Sequence, residues 1–125
     1  MSFESFAYER RTIPATILSG TSVSNSVTLQ GLCLLGVAIP AASGWTTAAL
    51  NIEVSTDNGS TWLTPNDPTN VAAGSFPSPS AGNSYAVNLT DLLPYNMIRI
   101  RSGTTASPVN QGADRALTII VRPIA

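Results

Sequence analysis

Apolar and polar residues alternate in short runs along the chain, and clusters of Gly, Pro, Asn and Ser separate the runs. The clearest runs are 50–55 (LNIEVS) and 98–101 (IRIR), in which every second side chain is apolar. A period of two places successive side chains on opposite faces of a β-strand, whereas an amphipathic helix needs a period of about 3.6. Because helical periodicity is nearly absent, the pattern predicts an all-β fold.

The spacing of these runs predicts about seven or eight antiparallel strands, which is typical of a β-sandwich of jelly-roll or Greek-key type. Two segments rich in Pro, Ser, Asn and Gly, 65–83 and 102–114, are predicted to be loops. The predicted strands are 15–19, 22–29, 32–39, 50–55, 61–63, 84–89, 95–101 and 115–122.

The run 32–39 is apolar on both faces of its predicted strand. We therefore expect a loop, an arm or another subunit to cover its outer face. Strict alternation places Cys33, Leu35, Val37 and Ile39 on one face and Leu32 and Leu34 on the other. Cys33 is the single cysteine of the chain, so we expect a small buried hydrophobic residue there rather than a disulfide or a reactive thiol.

The first residues of the chain differ in composition from the rest. We interpret residues 1–12 as an N-terminal arm and residues 13–125 as a single β-sandwich domain. The arm is rich in charges and holds three of the six Phe and Tyr residues. Since aromatic residues are rare in frayed ends, we expect this arm to dock on a neighbouring molecule. The candidate interface residues of the arm are Phe3, Phe6, Tyr8, Arg10 and Arg11.

Arg99 and Arg101 extend the set of candidate interface residues. They alternate with isoleucines in the run 95–101, so both are predicted on the same outer face, and Arg122 is predicted on a neighbouring strand. Arginines grouped in this way bind carboxylates in a bidentate manner. The alternative is a solvated strand face without a partner.

Charged residues make up only 10% of the chain, and its net charge is −1. There are six arginines, no lysine and no histidine. This composition lacks the basic surface of a nucleic-acid-binding protein, and it lacks the commonest general base and metal ligand. No nucleophile motif is present, so we predict no enzymatic activity, no cofactor and no metal site. No run is long enough for a membrane span, and no signal peptide is evident, so we expect the protein to be made in a cytoplasm.

Residues 55–62 (STDNGSTW) fit the pattern S-x-D-x-G-x-T-W and resemble the Asp-box of sialidases and related propellers. In those families the motif is a folding device away from the active site. The resemblance covers eight residues and implies a stable hairpin rather than a sialidase, with Asp57-Asn58-Gly59 as the turn. A weaker alternative is a calcium site, for which the one oxygen-rich cluster is Asn66, Asp67 and Asn70.

The order of features along the chain resembles small β-sandwich structural proteins of tailed bacteriophages. This resemblance covers most of residues 13–124 and implies a virion component, such as a capsid decoration (cement) protein, a head-fibre base or a tail accessory protein. Such proteins commonly form trimers or other symmetric oligomers, and no catalytic residues come with the family. The segments that carry the resemblance are 17–24, 35–40, 45–59, 98–104 and 117–124.

We therefore expect a non-enzymatic virion protein that stabilises a phage head by binding the outer surface of its major capsid protein as a homo-oligomer. The low charge and the doubly apolar strand agree with an assembly subunit. The alternative is a carbohydrate-binding β-sandwich module, or a fibre or tail accessory protein that contacts host glycans. Exposed aromatic side chains would serve that alternative, and the candidates are Trp45, Trp62 and Tyr95.

Overall fold

The computed structural model describes residues 10–39, 45–65, 75–76, 84–86 and 95–123 of the chain. All regular secondary structure among these residues is β, which confirms the predicted all-β class. The strands are β1 (Arg11–Ile17), β2 (Val27–Thr28), β3 (Leu32–Ala38), β4 (Leu50–Ser55), β5 (Ser75–Phe76), β6 (Ser84–Ala86), β7 (Met97–Ser102) and β8 (Arg115–Pro123). They form two antiparallel sheets: the β1 sheet, in the order β1-β8-β3-β6, and the β4 sheet, in the order β2-β7-β4-β5.

Alternating apolar side chains of both sheets meet in one hydrophobic core. Each fully buried Val, Leu or Ile side chain stabilises the fold by about 1.5–3 kcal/mol relative to the same side chain left exposed to water. The predicted inward positions of β4, β7 and β8 all lie in this core. They are Leu50, Ile52, Val54, Ile98, Ile100, Leu117, Ile119 and Val121.

A β-bulge interrupts β3. Leu34 and Gly36 pair with adjacent residues of β8, so Leu35 between them is an extra residue. An extra residue reverses the alternation of side chains beyond it. Leu34 and Val37 therefore both belong to the core, whereas Cys33 is buried outside the core cluster. The prediction that Cys33 and Val37 lie on the same face of the strand is wrong for this reason.

The bounds of several elements differ from the prediction. β1 begins at Arg11, two residues before the predicted start of the domain. β5 lies inside the predicted loop 65–83, where it pairs with the start of β4. Within the predicted strand 22–29, the regular pairings are β2 and the isolated bridges of Val23 and Ser24, and Ser22 and Leu29 form further backbone hydrogen bonds with Ser102 and Asn96. Residues 1–9 lie outside the described residues, and with them Phe3, Phe6 and Tyr8.

The outer edge of β1 is blocked along its second half. The N–H of Thr16 points away from β8 and donates to Oδ1 of Asn25 at 2.8 Å. The amide of Asn25 in turn donates to the carbonyl of Pro14 at a longer 3.5 Å. Pro14 itself has no N–H to offer. Proline and side-chain plugs at an edge strand prevent pairing with another chain.

Candidate functional site

Two arginines of β7 and one glutamate of β4 form a charged cluster on the outward face of the β4 sheet. Glu53 lies directly opposite Arg99 in the strand register, and Arg101 follows on the same face. Ile98 and Ile100 alternate with the arginines and are completely buried in the core, so the arginines face away from it, as the sequence pattern indicates. We name the following residues the Glu53 cluster: Glu53, Trp62, Arg99, Arg101 and Thr105.

Both carboxylate oxygens of Glu53 accept hydrogen bonds. Oε1 accepts from Nε of Arg99 at 2.7 Å, and Oε2 accepts from Nε of Arg101 at 2.6 Å. The hydroxyl of Thr105 also donates to Oε2 at 2.6 Å. Although it lies on an outward face, Glu53 is only 3% exposed. Charge-assisted hydrogen bonds are short and strong, so these bonds hold the Glu53 carboxylate in one position.

Two opposing effects act on the pKa of Glu53. Burial by itself raises this pKa, because it disfavours the charged form. The hydrogen bonds from Arg101, Thr105 and Arg99 outweigh burial and hold the pKa below its usual range. Glu53 is therefore ionised at neutral pH. Two guanidinium groups around one carboxylate leave the Glu53 cluster with one uncompensated positive charge.

The two guanidinium groups of the Glu53 cluster have different surroundings. Arg101 also donates from Nη1 to the hydroxyl of Ser22 at 3.1 Å, and its side chain is 13% exposed. Arg99 instead lies over the indole of Trp62, with Cζ 4.4 Å from the ring centroid, and its side chain is 20% exposed. This is a cation–π distance. Arg101 is thus held at two nitrogens, whereas one face of the Arg99 plane is held by an aromatic ring.

The predicted hairpin turn presents Trp62 to Arg99. Asn58 and Gly59 both have positive φ, 58° and 88°, as a type I′ turn requires. Val54 and Leu63 close the hairpin, each donating its N–H to the carbonyl of the other at 2.8–2.9 Å.

Side chains of the Asp-box hold the turn together. Oδ1 of Asp57 accepts the N–H of Thr61 and the hydroxyl of Ser55, both at 2.8 Å. The oxygen of Ser55 accepts the N–H of Gly59 at 2.8 Å. The hydrogen bonds from Thr61 and Ser55 lower the pKa of Asp57. The motif is therefore a local folding device in this chain, as its sequence indicates.

A buried glutamine, which the sequence analysis does not single out, joins the segment before β4 to the loop before β8. Gln111 is 1% exposed. Its Oε1 accepts the N–H of Thr46 at 2.8 Å, and its Nε2 donates to the Thr46 carbonyl at 3.1 Å. Nε2 also donates to the hydroxyl of Ser102 at 2.8 Å. Nothing in the local sequence distinguishes this glutamine from a surface loop residue.

The candidate interface residues fall in separate places. Arg99 and Arg101 belong to the Glu53 cluster on the β4 sheet, whereas Arg10 and Arg11 are exposed at the start of β1 in the other sheet. Arg122 lies in β8 of the β1 sheet. The expectation that it neighbours the strand of Arg99 is wrong, because β7 pairs with β2 and β4.

The aromatic side chains proposed for glycan contact are partly covered. Trp45 and Tyr95 are half-buried and pack against the core. The guanidinium of Arg115 lies 5.7 Å from the centroid of the Trp45 ring, and Arg99 lies over Trp62. A cation therefore occupies one face of each indole, and such faces are where a sugar ring would stack.

The described part of the chain holds no group of three or more His, Cys, Asp or Glu side chains arranged to bind a metal ion. The alternative calcium cluster around Asp67 lies outside the described residues. No helix among the described residues is long and apolar enough to cross a membrane.

No protein-family model matches the chain, and no curated protein matches it in sequence. In fold, the chain is similar to the SPBc2 prophage-derived protein YomS, whose crystal structure superposes with a TM-score of 0.51. The likeness covers 91% of this chain and 95% of that one, at 15% sequence identity. A likeness at this low sequence identity shows a shared fold alone.

Proposed function

We propose that the chain is a non-catalytic structural protein of a tailed-phage virion, and specifically a capsid decoration protein that binds the outer surface of the head as a symmetric oligomer. The observation that carries this proposal is the fold likeness to a prophage-derived protein over nearly the full length of both chains. It agrees with the resemblance of residues 13–124 to phage structural proteins. The protein would be assembled in the host cytoplasm and would act in the virion.

The proposed architecture is a jelly roll, in which eight strands form nested antiparallel pairs, first with last and so on inward. Four observed pairings support it: β1 with β8, β2 with β7, β3 with β6 and β4 with β5. Successive strands β1 to β4 alternate between the two sheets, as this winding requires. Jelly rolls are common in viral capsid proteins, so the architecture suits the proposed role.

The proposed contact surface combines the residues before β1 with the outward face of the β1 sheet. β1 is an edge strand that begins at Arg11, so the aromatic N-terminal residues join the domain at this sheet. Strand alternation gives its outward face an almost uncharged surface, in which Arg122 is the one charged side chain among the described residues. The outward residues that retain exposed surface are Thr12, Pro14, Thr16, Ala38, Ser84, Ala116, Thr118, Ile120 and Arg122.

The first test is the mass in solution, measured by light scattering for the intact chain and for a chain without residues 1–9. This truncation spares β1, whereas removal of residues 1–12 would delete two strand residues. A variant of full length with Phe3→Ser, Phe6→Ser and Tyr8→Ser separates side-chain burial from chain length. We expect an oligomer for the intact chain and a smaller species for both variants, because each buried aromatic contributes about 1.5–3 kcal/mol.

The second test is co-sedimentation with heads assembled from the major capsid protein of the phage or prophage that carries the gene. Saturable binding at a fixed ratio per capsid subunit is expected, with raised thermal stability of the decorated heads. A monomer that does not bind such heads would refute the decoration role. Binding to a glycan surface by that same monomer would favour the carbohydrate-binding alternative.

A further inference from the structure

The Glu53 cluster is an incomplete charge network, and the missing charge has a defined place. Glu53 accepts hydrogen bonds from three donors, and its single negative charge neutralises one of the two arginines. Charges that are partly removed from water are costly unless they are paired. A group that brings one negative charge would complete the network.

The open position is at Arg99. Within the part of the chain that the structure describes, its Nε donates to Glu53, and neither Nη nitrogen has a hydrogen-bond acceptor. Neither Nη is among the side-chain atoms that are buried without a partner, so both nitrogens reach solvent. Arg101 differs, because its Nη1 is bound to Ser22.

The geometry of Arg99 favours a planar ligand. Trp62 covers a face of the guanidinium, and Glu53 holds its Nε, so the side chain is fixed before any partner arrives. The remaining donors lie in one plane at the free edge. Two parallel N–H groups in a plane match the two oxygens of a carboxylate, and preorganisation of this kind lowers the entropic cost of binding.

We propose that the free Nη edge of Arg99 binds a carboxylate side chain, Asp or Glu, of a protein partner. One carboxylate carries the single negative charge that neutralises the Glu53 cluster. A phosphate group carries about −1.5 to −2 at neutral pH and would leave excess negative charge beside Glu53. The choice of a virion protein as the partner rests on the proposed function, whereas the carboxylate site does not.

The first experiment is an NMR titration of the intact chain with acetate, in parallel with inorganic phosphate and chloride at equal ionic strength. We expect saturable shifts of the Arg99 side-chain N–H and the Trp62 indole N–H with acetate, while the Trp45 indole N–H stays in place. Arg99→Lys keeps the charge but loses the fork, so the saturable response of Trp62 should disappear. Arg122→Lys is the matched control on the other sheet and should respond as the wild type does.

A second variant protects the test against misfolding. Trp62→Leu leaves the ion pairs of Glu53 intact but removes the ring that holds Arg99 flat, so the Arg99 response to acetate should weaken. The absence of a saturable acetate response in the wild type would overturn the proposal. A stronger response to phosphate than to acetate would overturn the choice of a carboxylate.

The partner is tested by head co-sedimentation with the same variants. Arg99→Lys should weaken binding by about tenfold, because truncating one member of a desolvated charge pair is costly. Undiminished head binding by Arg99→Lys would overturn the protein partner and leave the decoration role standing. If the wild type binds acetate but does not bind heads, the decoration role is overturned and the carboxylate site stands.

Discussion

The hydroxyl of Ser55 donates a 2.8 Å hydrogen bond to the carboxylate of Asp57, and the same oxygen accepts the N–H of Gly59. Together with the bond from Thr61 to Asp57, this arrangement ties both ends of the turn to one pair of side chains. The hairpin is therefore stabilised by side-chain acceptors for its own N–H groups.

We predict that Asp57→Ala loosens the hairpin locally. The N–H of Thr61 loses its acceptor, so its hydrogen exchange should accelerate, whereas the N–H of Leu63, which donates to the Val54 carbonyl, should change less. Hydrogen exchange followed by NMR measures both amides in one sample. Unchanged exchange at Thr61 would show that water replaces the carboxylate without loss.

We predict a graded series for alanine substitutions at three glycines. Gly112→Ala should be nearly neutral, because its φ is ordinary and the added Cβ would lie 4.0 Å from Thr46. Gly59→Ala should cost about 1–2 kcal/mol from its φ of 88° alone, since the new contacts are ordinary. Gly103→Ala should cost about 3 kcal/mol or more, because its Cβ would also lie 2.5 Å from the Ser107 carbonyl oxygen.

Urea unfolding of the three glycine variants measures the series. Gly112→Ala is the matched control for the loss of backbone entropy in the unfolded chain, which all three substitutions share. If the three substitutions lowered the free energy of unfolding equally, the assignment of backbone strain to Gly59 and Gly103 would be contradicted.

We predict that Glu53→Gln lowers the free energy of unfolding by about 3 kcal/mol at neutral pH. This is the low end for breaking a buried ion pair, because the arginines retain some solvent contact. The pKa of Glu53 is lowered in the folded state, so its stabilisation is present above the unfolded pKa of about 4.3 and is lost as the pH falls through the folded pKa.

The check on Glu53 is denaturant unfolding of the wild type and of Glu53→Gln between neutral and acidic pH. The difference between the two proteins should shrink on acidification. A difference that is constant over this range would mean that the effect of the substitution is not electrostatic.

We predict that Gln111→Met destabilises the protein by about 2–3 kcal/mol. The volume is kept, but Ser102 and both backbone groups of Thr46 lose a buried partner. Gln30→Met is the matched control, because Gln30 is exposed in a turn and should tolerate the change. Thermal unfolding compares the two, and equal midpoints would contradict the role given to Gln111.

Features that depend on neighbouring residues in the chain were predictable. The alternation in 50–55 identifies Leu50, Ile52 and Val54 as core residues, and the same rule places Arg99 and Arg101 on the outward face. The Asp-box predicts its turn because the donors and acceptors lie within a few residues of each other. Such patterns express a strand period or a turn geometry without reference to the rest of the fold.

Features that depend on strand register were not predictable. The alternating pattern alone indicates that Glu53 is a solvated residue on the outer face of a strand. Only the pairing of β4 with β7 brings it between two arginines. The extra residue Leu35 is defined by its missing partner in β8, so no local pattern identifies it. The buried role of Gln111 likewise depends on Thr46, which is 65 residues away.

The plug that Asn25 and Pro14 form at β1 has a consequence for crowding. An open strand edge at high local concentration invites one copy to extend the sheet of the next, which leads to fibres without a fixed end. Here that route is closed along the second half of β1, so copies that meet at this stretch of the edge do so through side chains. A side-chain contact does not continue the backbone pairing from one copy to the next, so this stretch does not start a fibre.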